Sequence, residues 1–324
     1  MTTLLDHISA RPVVATATTT PAERLRATMA ACRVRFTWFG TQKSLTSEQR
    51  AAAAEAFDAD GQLLSAGKKL VDTKHAAFRA VTAVRGKITD YWRSQTLPYP
   101  EPGIRLLKQE QLGVFVETMS DYQSELIDAV ANLDAHYAEL KRAAAEKLGS
   151  LFNPGDYPET LVGLFEVAWD FPSVEPPDYL VAINPSLYEQ EQERMRARFE
   201  EAVRLAEQAF LDEFARLVKH LTERVKGAND DGTTKVFRDS AIGNLLDFFE
   251  RFRSLNVRSN PQLDDLVEQA RRAVRGVVAQ DLRDSESLRE RVATQMTQVE
   301  TALDTMLIDR PRRRILWQST TGEA

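Results

Sequence analysis

The residues of this chain that come nearest to chemistry lie between Gly61 and Lys69. The run Gly61-Gln62-Leu63-Leu64-Ser65-Ala66-Gly67-Lys68-Lys69 has the glycines and the lysine of a phosphate-binding loop. Such a loop needs four residues between its glycines, then Lys and a Ser or Thr that holds magnesium. Here five residues intervene and Lys69 stands where the hydroxyl belongs, so nucleotide binding is not expected. Asp58-Ala59-Asp60-Gly61 and Asn229-Asp230-Asp231-Gly232 resemble parts of a calcium loop, which needs an acid at its first position and a bidentate Glu at its twelfth. Those positions hold Ala56 and Gly67 in one case and Gly227 and Arg238 in the other, so both segments read as turns. His7, His75, His136 and His220 are scattered, with no HExxH or Cys/His cluster. There is no GxSxG elbow and no GxGxxG fingerprint. No catalytic, cofactor-binding or metal-ligating residue is therefore nominated.

A charge asymmetry does stand out. From Lys68 to Lys108 nine basic residues face only Asp72, Asp90 and Glu101, with Tyr91, Trp92 and Tyr99 interleaved. Basic groups neutralise phosphates and aromatic rings stack on unpaired bases. Lys68, Lys69, Lys74, Arg79, Arg93, Tyr99 and Arg105 are thus candidate contacts to nucleic acid or to a partner. The plainer reading is a solvated basic face docked on an acidic neighbour. Near the C-terminus Arg310, Arg312, Arg313 and Arg314 precede Ile315-Leu316-Trp317. Arg312, Arg313 and Arg314 join the candidates, although a basic cluster at a helix end is also favoured by the helix dipole. Between Thr96 and Leu107 three prolines set a rigid path, read here as a stiff connector between helices that can hold recognition residues.

The chain has 324 residues, 43% of them hydrophobic and 28% charged, with a net charge of −6. That composition fits a folded protein and disfavours general polyanion binding. Cys32 is the one cysteine, so no internal disulfide forms, and its apolar neighbours suggest a small buried hydrophobe. No run approaches the ~18 apolar residues of a membrane span. Residues 1–14 lack a basic start and a long apolar core, which predicts no signal peptide and a cytoplasmic setting.

The elements that must position these residues are mostly helices. Two rods dominate, at 109–148 and 187–226, each an amphipathic run of roughly 40 residues or about 60 Å. Met119, Tyr122, Leu126, Val130, Leu133, Tyr137, Leu140 and Ala144 recur with a mean step near 3.6, and Phe199, Val203, Ala206, Phe210, Phe214, Leu217, Leu221 and Val225 with one near 3.7. Both exceed the 3.5 of a left-handed coiled coil, so a bundle is expected. Thr20-Pro21-Ala22-Glu23 and Ser47-Glu48 open shorter helices, and helical pattern runs from about Leu63 to Trp92. Further helices are expected at 235–256, 261–281 and 286–308. Alternating Val34, Phe36 and Trp38, and Phe165, Val167, Trp169 and Phe171, predict two strands that pair in one small sheet. The expected fold is mainly α: an elongated helical bundle with two long helices and a small two-stranded β element. Its expected organisation is a flexible segment 1–20, a helical body 21–186 with a Pro/aromatic insert, a long helix with a C-terminal bundle at 187–309, and a basic tail 310–324.

Four short segments carry a family resemblance. They are Phe36-Thr37-Trp38-Phe39-Gly40-Thr41-Gln42-Lys43, Ala66-Gly67-Lys68-Lys69-Leu70, Thr96-Leu97-Pro98 with Gly103-Ile104-Arg105, and Leu151-Phe152-Asn153-Pro154-Gly155-Asp156-Tyr157-Pro158. Over residues 30–225 the chain resembles a family of helical proteins from phages and bacterial mobile elements whose domain has no assigned function. The resemblance carries no catalytic residues. It implies a setting beside a ring-forming AAA+ ATPase. The leading expectation is a non-enzymatic scaffold or interaction protein, acting as an adaptor of such an ATPase or as a homo-oligomer, with the rods forming an antiparallel arm. The alternative is a nucleic-acid-binding module using residues 68–108. An enzyme is the third reading, with Arg105 as an anion anchor beside the proline-rich loop.

Overall fold

A computed structural model describes residues 19–226 and 240–308. The expected N-terminal segment up to residue 18, the loop from Gly227 and the basic tail with Arg312, Arg313 and Arg314 lie outside the described residues.

The fold is mainly helical, with a small antiparallel sheet. Eleven α-helices are described: α1 (Pro21–Thr28), α2 (Ser47–Glu55), α3 (Ala76–Gln95), α4 (Leu112–Ala135), α5 (Tyr137–Leu148), α6 (Tyr179–Ile183), α7 (Pro185–Lys226), α8 (Ser240–Leu255), α9 (Pro261–Ala273), α10 (Ala279–Asp284) and α11 (Glu286–Ile308). Six strands accompany them: β1 (Met29–Thr37), β2 (Gln42–Ser44), β3 (Gly67–Lys69), β4 (Thr96–Pro98), β5 (Ile104–Lys108) and β6 (Glu166–Asp170). The main sheet has the order β4-β5-β1-β6, and β2 and β3 form a separate ribbon.

The two strands expected from alternation do pair, Val34 opposite Trp169 and Phe36 opposite Val167. The sheet is larger than expected because the proline-rich stretch is a hairpin and not a helix connector. Ile104 N–H donates to Glu101 O at 3.2 Å, closing a turn with Pro102 second and Gly103 third. Gly103 has φ +79°, the left-handed conformation that a type II turn requires at its third residue. Pro98 sits on the edge strand, where its missing N–H breaks no ladder.

The sheet separates two cores. Met29, Ala31, Leu97, Ile104 and Leu106 face one side and pack with α1, α7, α8, α9 and α11. Cys32, Val34, Leu107 and Val167 face the other and pack with α3, α4 and α5. Alternate residues of β1 thus serve different cores, as the period-2 side-chain alternation of a strand dictates.

One rod is intact. The α7 helix runs 42 residues, about 60 Å, and buries a broad stripe that includes the adjacent pairs Ala202–Val203, Phe210–Leu211 and Leu221–Thr222. A stripe two residues wide meets several partners at once, here α1, α8 and α11. The other rod is broken at His136. Asn132 O, which the N–H of residue 136 would take in a continuous helix, lies 2.9 Å from the His136 Nδ1 atom. The His136 N–H turns instead to Leu133 O at 3.1 Å. Nor do the rods pair as an arm: α4 and α5 bury their stripes in one core and α7 in the other. Helical pattern from Leu63 also gives way, because 67–69 is strand and α3 starts only at Ala76, capped by the His75 imidazole. The expected helix at 261–281 is cut at Gly276, whose φ of +70° ends helical geometry.

Candidate interaction surfaces

The structure disperses the basic residues. Lys68 is buried: its ammonium lies 2.6 Å from Asp156 Oδ2 and donates to Leu151 O at 2.6 Å. Lys43, its cross-strand partner, reaches Asp156 Oδ1 at 2.6 Å. The two lysines hold the Asp156 carboxyl below its ordinary range. This cluster fastens the β2–β3 ribbon to the segment after α5, a structural use of a residue that was a candidate contact. Lys87 pairs with Glu125 and Lys108 with Glu110. Tyr99 is buried with its ring edge-on to Phe199, 5.6 Å between centroids. Lys69, Lys74, Arg79 and Arg93 remain exposed.

Arg105 is partly buried where α3 ends against β4 and β5. Its Nε donates to Thr96 Oγ1 at 2.7 Å and its Nη2 to Thr96 O at 2.8 Å. The guanidinium lies 5.9 Å from the Trp92 ring centre. Cys32, directly opposite on β1, is fully buried, and burial pushes its thiol up to about 12, so it is no nucleophile at neutral pH.

A cleft of about 890 Å³ lies beside α1 and the end of α8. Several of its polar side chains are committed to structure: Arg24 donates to Val257 O at 2.8 Å, Lys108 pairs with Glu110, and Gln109 donates to Met29 O at 3.1 Å. No group of three or more His, Cys, Asp or Glu side chains among the described residues is placed to hold a metal ion. No helix among them is long and apolar enough to cross a membrane.

The feature that sequence periodicity missed is at the start of α7. From Pro185 to Arg194 this helix has no buried side chain, Met195 being the first. The short α6 packs beside it and buries none of its own residues. Tyr179 is 63% exposed and Ile183 74%, and Val181 and Leu187 are exposed with them. Single exposed apolar side chains are common, whereas several on neighbouring turns mark a candidate interaction site. The signal in the sequence was the apolar run Tyr179-Leu180-Val181-Ala182-Ile183 between prolines, too short for its period to show which face is buried.

No family model, characterised protein or solved structure matches the chain.

Proposed function

We propose that this is a non-enzymatic interaction protein that docks a partner through the apolar strip of α6 and the first turns of α7. The observation that carries this reading is the set Tyr179, Val181 and Ile183, exposed on a short helix that buries nothing, with Leu187 exposed on the adjoining first turn of α7. A rigid helix held by a large core is a good platform for such a strip, because little ordering entropy is lost on docking. The resemblance to phage and mobile-element proteins supplies the partner class, an AAA+ ATPase, with a second copy of the chain as the other occupant. In the test, Tyr179→Lys/Ile183→Lys is compared with the unaltered protein by size-exclusion with light scattering, alone and mixed with an ATPase encoded beside it. The expected result is an assembly that the double variant loses while its circular dichroism is unchanged. A monomer that binds no such ATPase, before and after substitution, overturns the reading.

Nucleic-acid binding is the second reading, favoured by one observation: Lys69, Lys74 and Arg79 are exposed and make no ion pair among the described residues. Single-stranded DNA titrated at low and high salt tests it. Binding that falls steeply with salt, and whose salt slope drops by about 1 per lysine or arginine replaced by Ala, is expected. No binding at low salt removes it.

A further inference from the structure

The hairpin turn, Trp92 and the last turn of α3 border an open surface hollow of about 360 Å³, lined by Arg93, Pro98, Glu101, Pro102, Ile104 and Arg105 among others. Its charges do not balance. Arg105 has five N–H groups, of which Thr96 takes two, and no carboxylate of the described residues lies within ion-pair distance of it. Arg93 is exposed on the same hollow and has no ion-pair partner among the described residues. The one acid in the lining, Glu101, is turned to Arg198, 3.7 Å away. The C-terminal end of α3 contributes roughly −0.5 of a charge, which offsets only part of two guanidinium groups. Burial, with Arg93 and Arg251 nearby, brings the Arg105 guanidinium down to about 10.

We propose that this hollow binds an organic phosphate, its dianionic head between Arg93 and Arg105 and its apolar body against Trp92 and the proline wall. A dianion neutralises both guanidinium groups, whereas a single carboxylate neutralises one. Guanidinium forks match phosphate oxygens in pairs of parallel hydrogen bonds. The space suits roughly a dozen non-hydrogen atoms, at ~30 Å³ each by the share of a water molecule. Pro98 and Pro102 fix the wall in advance, so the site costs little to order on binding. The inference does not depend on the partner reading, because it concerns different residues and a small ligand.

Phenyl phosphate is the probe, followed by phosphorus NMR line broadening at low ionic strength, with inorganic phosphate as the comparison. The expected result is that phenyl phosphate binds more tightly than inorganic phosphate. Arg93→Ala and Arg105→Gln should each weaken it by about tenfold or more, and Arg79→Ala, on the same helix, should leave it unchanged. If Arg105→Gln lowers the melting temperature, the exposed Arg93→Ala decides alone. No binding at millimolar phenyl phosphate, binding that survives Arg93→Ala, or an equal loss in Arg79→Ala overturns the proposal. Equal binding of the two phosphates also overturns it, since the apolar wall then contributes nothing.

Discussion

Phe248→Ala is expected to lower the stability of the protein by about 3–5 kcal/mol, the range for emptying a fully buried aromatic site. Phe248 is 1% exposed and stands at the centre of the α7–α8 seam. Its ring stacks on Phe214 at 5.1 Å with the planes 1° apart, and Phe210, Phe249 and Phe252 surround it. Rings on two helix backbones cannot move far to fill the space, so the cavity term adds to the lost transfer energy. Urea unfolding followed by circular dichroism measures the change. Phe57→Ala is the control: that ring is 80% exposed, and its loss should stay within about 0.5 kcal/mol. A Phe248→Ala loss below about 1 kcal/mol would show that the seam is not closed as described. The result also bears on function, because this seam holds the α7 helix whose free end carries the proposed docking strip.

Asp156→Ala is expected to release the β2–β3 ribbon and lower the melting temperature by roughly 5–10 °C. The substitution leaves the Lys68 ammonium buried with only the Leu151 carbonyl for company. Removing one member of a buried pair costs far more than the pair contributes, because the remaining charge is desolvated without compensation. Hydrogen exchange at 42–44 and 67–69 should rise while the core strand β1 stays protected. Uniform exchange across both would contradict a local role. The pH dependence has a definite sign. Asp156 and Asp170 are each held below the ordinary carboxyl value of 3.8, Asp156 by the two lysines and Asp170 chiefly by Arg33. In the unfolded chain these carboxyls take up protons at higher pH than in the fold. Their contribution is therefore complete above the ordinary range and is lost as the pH falls through the lower folded values. Below pH ~4 the unaltered protein should lose stability more steeply than Asp156→Asn, which has already lost its share.

Several parts of this architecture were legible in residue order. The rod expected from 187 starts within two residues of the observed α7, and Phe199, Val203, Ala206, Phe210 and Phe214 mark its buried stripe, which begins one turn earlier at Met195. Alternation along β1 and β6 marks both strands and their pairing. The β4–β5 hairpin was not legible because Leu106 and Leu107 are both buried, one in each core. A strand covered on both faces loses the alternation by which strands are recognised. Its prolines pointed to a rigid loop, and only the turn closed by Gly103 shows that the loop reverses the chain. The candidate site was legible in composition and not in geometry. Nine basic residues in one segment say nothing about which are paired: Lys68 and Lys87 found acids elsewhere in the chain, and Lys108 pairs with its near neighbour Glu110.

What the sequence by itself determined is whatever depends on neighbours within a few residues. Helix starts at Pro21, Ser47 and Pro261 follow from their caps, and the buried stripe of α7 follows from its apolar period. Only the tertiary structure decided what depends on partners far along the chain. It placed the sheet between two cores, so that the rods lie on opposite sides of it. It buried Lys68 on Asp156, let the His136 side chain compete for the carbonyl that would have continued a rod, and left Arg93 and Arg105 on one hollow with no ion pair among the described residues. Local periodicity records which face of an element is apolar. Which charges are neutralised and which apolar side chains stay uncovered is set by packing between elements, and no single segment contains that information.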